Sequence, residues 1–226
     1  ELSDIRVRKA INHAINRGFI IEKLHNNLSS SSTGPLTPQS PFYEPEVESY
    51  PYDLKKAQAL LDEAGCKPGK DGVRFSLTLD FEPGLPEQQK MVAEYLKSQL
   101  RRVGIDVQLR SSPDWASWAE RVSNWNHDMT LAIMFSWGDP VIGTHRSYIS
   151  GNIRKGVAYS NMSGYHNARV DELLSQAAQE MDPVRRKELY GEFQKIVVAD
   201  APMAYLNLIP FNTVYDKRVQ NVFTSI

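Results

Sequence analysis

The chain has 226 residues, with 26 Lys and Arg against 27 Asp and Glu, so its formal charge is −1. That balance argues against general nucleic-acid binding and against a basic membrane surface, and no apolar run approaches the ~20 residues that a membrane helix needs. A single cysteine, Cys66, excludes an internal disulfide framework and a cysteine-based zinc cluster.

Val7, Ala10, Ile11, Ala14 and Ile15 recur at helical spacing and predict a first helix, capped by Ser3 or Asp4 and ending near Gly18. His13 falls off that apolar stripe and is expected to face solvent. Residues 26–52 break the pattern with four consecutive serines, a Gly-Pro and several further prolines, which predicts a long irregular connection. Phe42, Tyr43, Tyr50 and Tyr52 suggest that its second half packs down as an ordered arm. The serine run either lines a ligand site or is mobile. Asp53 is placed to cap a second helix carrying Leu54, Ala57, Leu61 and Ala64 inward, with Gly65 as its stop.

Val73, Phe75, Leu77 and Leu79 alternate with polar residues, as a strand requires. Val92, Leu96, Leu100 and Val103 then mark a helix stopped by Gly104. Ile105, Val107 and Leu109 alternate in a second strand. Strand, helix and strand in that order form a βαβ unit, which predicts an α/β fold with a right-handed crossover. Asp114 opens a short helix bearing Trp115, Trp118 and Val122. The apolar run 128–135 reads as a buried strand, and residues 141–167 read as loop. Asn167 caps a helix whose stripe runs from Val170 to Met181. Asp182-Pro183 opens a last helix with Leu189, Phe193, Ile196 and Val197 inward. Residues 204–215 read as one or two strands interrupted at Pro210.

Motifs for chemistry are sparse. Neither GxGxxG, GxxxxGK[ST] nor GxSxG occurs. The five histidines are scattered without metal-ligand spacing, so no metal and no cofactor is expected. Most carboxylates, such as Asp171, Glu172 and Glu188, sit on helix exteriors and read as solvated. No nucleophile and base are spaced for catalysis. One feature remains. The strand ending at Phe135 is followed at once by Trp137 and Asp139, and ligands of open α/β sheets gather beyond the carboxyl ends of strands. Trp137 offers an apolar platform and Asp139 a charge for an ammonium group or donor array; the alternative is a core tryptophan and a plain Asp-Pro turn.

Taken in order, these pieces resemble a known family. Asp4-Ile5-Arg6-Val7-Arg8-Lys9-Ala10-Ile11 with Ala14-Ile15-Asn16-Arg17 is similar to the DVRxAI…AIDR helix of the extracytoplasmic solute-binding proteins of ABC importers, the oligopeptide, dipeptide and nickel-binding class (family 5). Tyr52-Asp53 through Gly65 resembles its YDxxKAxxLLxEAG helix, and Ala93-Glu94 through Ile105 its AExxxxQLxxxGI segment. Ser136-Trp137-Gly138-Asp139-Pro140 resembles its W…DP loop. Tyr159 to Asn161, Asp171 to Leu174, and Asp182 through Pro202 follow its YxN, DxLL, RxxLYxxxQxI and DxP signatures.

The resemblance implies an α/β chain that forms one lobe of a type II periplasmic binding protein fold, a mixed sheet flanked by helices. It implies an excised C-terminal lobe of a two-lobe protein, residues 1–226 forming that lobe with 26–52 as a connection within it. The expected partners are a peptide or other small solute, the N-terminal lobe of the same protein and the ABC permease, with no nucleic acid. The expected place is periplasmic or extracytoplasmic and membrane-anchored. Expected ligand contacts are Trp137 by stacking, Gly138 through its backbone, Asp139 by charge, and Arg146 and Tyr148 from the next loop. The sequence departs from the dipeptide pattern in two places: Phe81 to Pro86 holds no arginine, and the tryptophan loop is short, with Asp139 as its one aspartate. A longer peptide, an opine-like compound or an oligosaccharide therefore stays open, as does a sensing domain of a cytoplasmic regulator.

Overall fold

The computed structural model describes residues 1–83, 86–135, 137–210 and 213–222. Asp4 starts α1 (Ile5–Ala14) by accepting the Arg6 N–H at 2.8 Å, which satisfies one of the donors a helix start leaves open. The helix ends before Gly18: Ile15 is already extended, and Asn16 caps a short α2 (Arg17–Phe19) that runs into one π-helical turn, Ile20–Leu24. Asp53 caps α3 (Leu54–Glu63) through the Lys56 N–H at 2.9 Å. Gly65 follows at φ +80°, a left-handed stop that glycine takes without strain.

The βαβ unit is present as expected. β2 (Phe75–Phe81) and β3 (Ile105–Arg110) run parallel, from Phe75 opposite Ile105 to Asp80 opposite Arg110, joined by α4 (Pro86–Arg101). β4 (Met129–Leu131) pairs parallel on the other side of β2, Leu79 opposite Met129. The sheet order is β3-β2-β4. Side chains alternate across a sheet. Leu77, Leu79 and Phe81 join α1, α3 and α4 in a first, aliphatic core with Val7, Leu61 and Leu100. Asp80 points the opposite way and is fully buried. Arg110 and Arg121 bind its two oxygens at 2.6 and 2.7 Å, so neither lone-pair set is left unpaired. Arg121 lies on α5 (Trp115–Ser123), whose Trp118 indole N–H donates to Thr130 Oγ1 at 3.1 Å.

The second half of the molecule is helical. α6 (Ala168–Gln179) and α7 (Pro183–Asp200) are capped by Asn167 and Asp182 as expected. They enclose a second core of Tyr148, Leu173, Leu174, Tyr190 and Phe193. The arm ties the halves together. The Tyr50 hydroxyl donates to Val198 O at 2.8 Å, the Tyr52 hydroxyl to Gln99 Oε1 at 2.9 Å, and Phe42 packs on Tyr190 at 4.9 Å. Arg8 closes the C-terminus of α7, donating to Asp200 O at 2.8 Å while also holding Leu2 O and Ser3 O. A two-residue ribbon, β1 (Ser30–Ser31) with β5 (Asn207–Leu208), sets the serine run against the segment that follows α7.

Several expectations are corrected. His13 is 1% exposed, with Nδ1 2.8 Å from Pro51 O, because the arm covers the second side of α1. Met181 is 91% exposed, since α6 ends at Gln179 and the chain turns away. Asp171 is half-buried and accepts the Ser150 N–H at 2.8 Å. The run 128–135 is strand only at Met129–Leu131 and is half-buried there. Its end, Met134 and Phe135, is about two-fifths exposed, since it lies beyond the end of β4. Residues 204–215 give one two-residue strand, and Thr213 to Tyr215 are exposed and irregular; residues 211–212 lie outside the described residues.

Candidate ligand-binding site

An open cleft of about 2090 Å³ runs along β4 between the sheet half and the segment 203–210. Leu131, Phe135 and Trp137 line it from the β4 side, and Leu206 and Leu208 from the other. Ser29, Ser30 and Ser32 also line it, and Ser30 and Ser31 pair with β5. Among the described residues, three buried polar atoms without a hydrogen-bond partner belong to cleft residues: Ser29 Oγ, Gln89 Oε1 and His127 Nδ1. Buried polar atoms in folded proteins are normally paired.

Trp137 lies six residues beyond the end of β4, with 57% of its surface exposed. Its ring stacks on Phe135, centroids 5.8 Å apart and planes 17° from parallel. The next turn is built by Asp139, which accepts the Val141 N–H at 2.9 Å, while Ile142 N–H returns to Asp139 O. Gly143 closes the turn at φ +102°. A Cβ there would meet Phe135 O at 2.6 Å and Trp137 Cδ1 at 2.9 Å, so only glycine fits both the backbone and the ring.

The expected ligand residues divide. Trp137 lines the cleft, and Gly138 is exposed beside it, with open space where a side chain would begin. Asp139 is engaged by the protein itself: Arg186 Nη1 and Nη2 donate to its two oxygens, each at 2.9 Å. Partial burial works against its charge, yet Arg186 and the Val141 N–H hold its pKa below the usual carboxylate value. Arg146 is half-buried, its guanidinium 4.8 Å from the Tyr159 ring centroid. Tyr148 has no exposed surface; its ring packs edge-on against Phe193 and its hydroxyl meets that of Tyr205 at 2.8 Å. Direct contact between a ligand and the Tyr148 ring would require the second core to open. His145, between these residues, is 5% exposed, with Nε2 2.9 Å from the Tyr190 hydroxyl. Burial pushes its pKa down to about 4, so it is neutral at neutral pH.

Sequence reasoning missed Phe135 as Trp137's stacking partner and Arg186 as Asp139's. The first was read as the end of a buried strand. The second lies 47 residues away, beyond the reach of local spacing.

The sequence model of the bacterial extracellular solute-binding proteins, family 5 (Middle), matches residues 1–155. Protein XP55 of Streptomyces lividans is 32% identical over 212 residues, which cover 91% of this chain and 38% of that protein. The dipeptide-binding protein of Escherichia coli is 26% identical over 219 residues, 95% of this chain and 39% of that one. Among solved structures, the periplasmic binding protein DppA from Helicobacter pylori in complex with peptide STSA superposes with a TM-score of 0.81 at 28% identity, over 91% of this chain and 38% of that one. NikZ from Campylobacter jejuni in complex with Ni(L-His) gives 0.82 at 25% identity, over 92% and 42%. The chain thus spans about two-fifths of the length of these proteins. Its architecture is the α/β lobe of a type II periplasmic binding protein. Matched by the family model over more than half its length, the chain belongs to the bacterial extracellular solute-binding proteins of family 5.

Proposed function

We propose that the chain is one lobe of a two-lobe, extracytoplasmic receptor of an ABC importer that closes on a peptide or peptide-like solute and hands it to the permease. The observation that carries this reading is Trp137, a large aromatic ring left 57% exposed at the mouth of the cleft in a chain of this family. An exposed aromatic platform in the loop beyond a strand's carboxyl end suits a solute that is gripped rather than transformed. Gly138 leaves room for a solute backbone beside it, and Arg146 is the cation assigned to a solute carboxylate. Asp139 and Tyr148 act from behind, holding the loop.

The floor of the cleft has a different role in this reading. β4 pairs with β2 on one edge and, among the described residues, with no strand on the other. An unpaired edge flanked by apolar side chains suits a polypeptide strand. The three unpaired polar atoms also call for partners. We assign the floor to the remainder of the receptor and the rim to the solute. Solute touching both lobes favours the closed state, and one lobe alone supplies only part of the contacts.

The test is calorimetric titration of the full-length receptor and of this 226-residue chain with the same tetrapeptide mixture, alongside mass spectrometry of small molecules carried through purification. The expected result is peptide in the purified receptor, micromolar binding by it, and weak or undetectable binding by the chain alone. Micromolar binding by the chain alone would contradict the two-lobe account. A receptor that carries and binds no peptide would remove the peptide reading.

A further inference from the structure

The geometry points to Arg186 and Gly143 as the positioning residues for the Trp137 platform. This inference rests on the reading of Trp137 as a solute contact, but the arrangement is visible without a solute. Arg186 lies on α7, yet it reaches three other parts of the molecule at once, as well as Tyr190 on its own helix. Its Nε donates to Ala177 O at 2.7 Å, its two Nη atoms hold Asp139, and its Cζ lies 5.0 Å from the Phe42 ring centroid and 5.6 Å from that of Tyr190. The bidentate fork fixes both position and orientation of the carboxylate it binds. Asp139 is two residues from Trp137, so the fork anchors one end of the turn to the packed α6–α7 pair. Gly143 sets the other end. Its backbone approaches Phe135 O and Trp137 Cδ1 so closely that a methyl group would overlap both. Between these two anchors the indole is held flat against Phe135.

Trp137 therefore owes its orientation to a charge pair, Asp139–Arg186, whose arginine side chain is 18% exposed and whose aspartate is 41% exposed. Lysine keeps the charge but loses the fork, so Arg186→Lys is expected to hold the turn less well than arginine and better than methionine. Gly143→Ala acts on the same ring from the opposite side without touching the pair.

The experiment is fluorine NMR of the 226-residue chain labelled with 5-fluorotryptophan, with the Trp137 signal assigned by Trp137→Phe. The buried Trp118 serves as the internal reference. Arg186→Met, Asp139→Asn and Gly143→Ala are each expected to shift and broaden the Trp137 resonance, with Trp118 unchanged. Arg186→Lys is expected to fall between wild type and Arg186→Met. A Trp137 resonance that stays at its wild-type position in Arg186→Met and Gly143→Ala would overturn the inference. So would equal movement of Trp118, which would mean general loosening. If one variant fails to fold, the others read the same ring. Because no solute is present, a failure here is separate from a failure of the peptide reading. In the full-length receptor, Arg186→Met should then weaken peptide binding about tenfold, while Arg186→Lys should recover part of the loss.

Discussion

The two cores of the molecule are made differently. The first, around α1, α3, α4 and the sheet, is almost wholly aliphatic. The second, around α6 and α7, is built on tyrosines whose hydroxyls bond outward: Tyr148 to Tyr205, Tyr165 to Asp200 at 2.6 Å, and Tyr190 to His145. An aliphatic core gains by area and tolerates rearrangement, whereas a hydroxyl buried with a partner demands one geometry. The platform turn is clamped to the second core, through Arg186. The turn that carries Trp137 is thus tied to the part of the molecule whose contacts are directional, six residues beyond the end of β4.

That contrast can be broken or sharpened by substitution. The largest expected effect is in the first core: Leu61→Ala, at a side chain with no exposure, should cost about 2–5 kcal/mol in urea unfolding. In the second core Tyr148→Phe removes one oxygen and leaves the Tyr205 hydroxyl without its partner, which should cost about 1–3 kcal/mol with little change in volume. If Tyr148→Phe proved neutral, the directional character claimed for that core would be wrong.

Acid should also act on the second core. The His145 pKa lies at about 4 in the fold against about 6.5 unfolded, so the unfolded chain binds the extra proton first. The stability held above pH 6.5 is lost progressively as pH falls toward 4. Melting curves across that range should slope less steeply for His145→Gln than for wild type; parallel slopes would show that His145 is not the group responsible. Next come the helix caps, which belong to neither core. Asp53→Ala and Asp182→Ala should each cost about 1 kcal/mol. Smallest of all, Glu188→Gln, which breaks an exposed pair with Arg185, should leave the melting midpoint unchanged.

The same contrast explains what could be read in the sequence. Caps at Asp53, Asp114, Asn167 and Asp182 were legible because each bonds an N–H within three residues. The βαβ unit was legible because period two and period 3.6 alternate within thirty-odd residues. Trp137 reads as a platform by its place after an apolar run, and its ring is exposed. What escaped depended on distant partners. His13 reads as solvated until the arm, closing over α1, brings Pro51 to its ring. Asp139 reads either as a charge for a ligand or as part of a plain Asp-Pro turn, and only the fold brings Arg186 to it. The run 128–135 reads as buried because its composition is apolar, but the strand ends at Leu131 and the run lines the cleft. Tyr148 was placed near the site by sequence proximity, and its side chain turned inward.

The central claim is that Trp137 is the gripping surface of this lobe. It is tested most directly by titrating the full-length receptor and its Trp137→Ala variant with the same peptide. The account predicts a loss of about tenfold or more in affinity, ~1.4 kcal/mol for each factor of ten, with the melting midpoint of the unliganded protein unchanged. Equal affinity in the two proteins would contradict it.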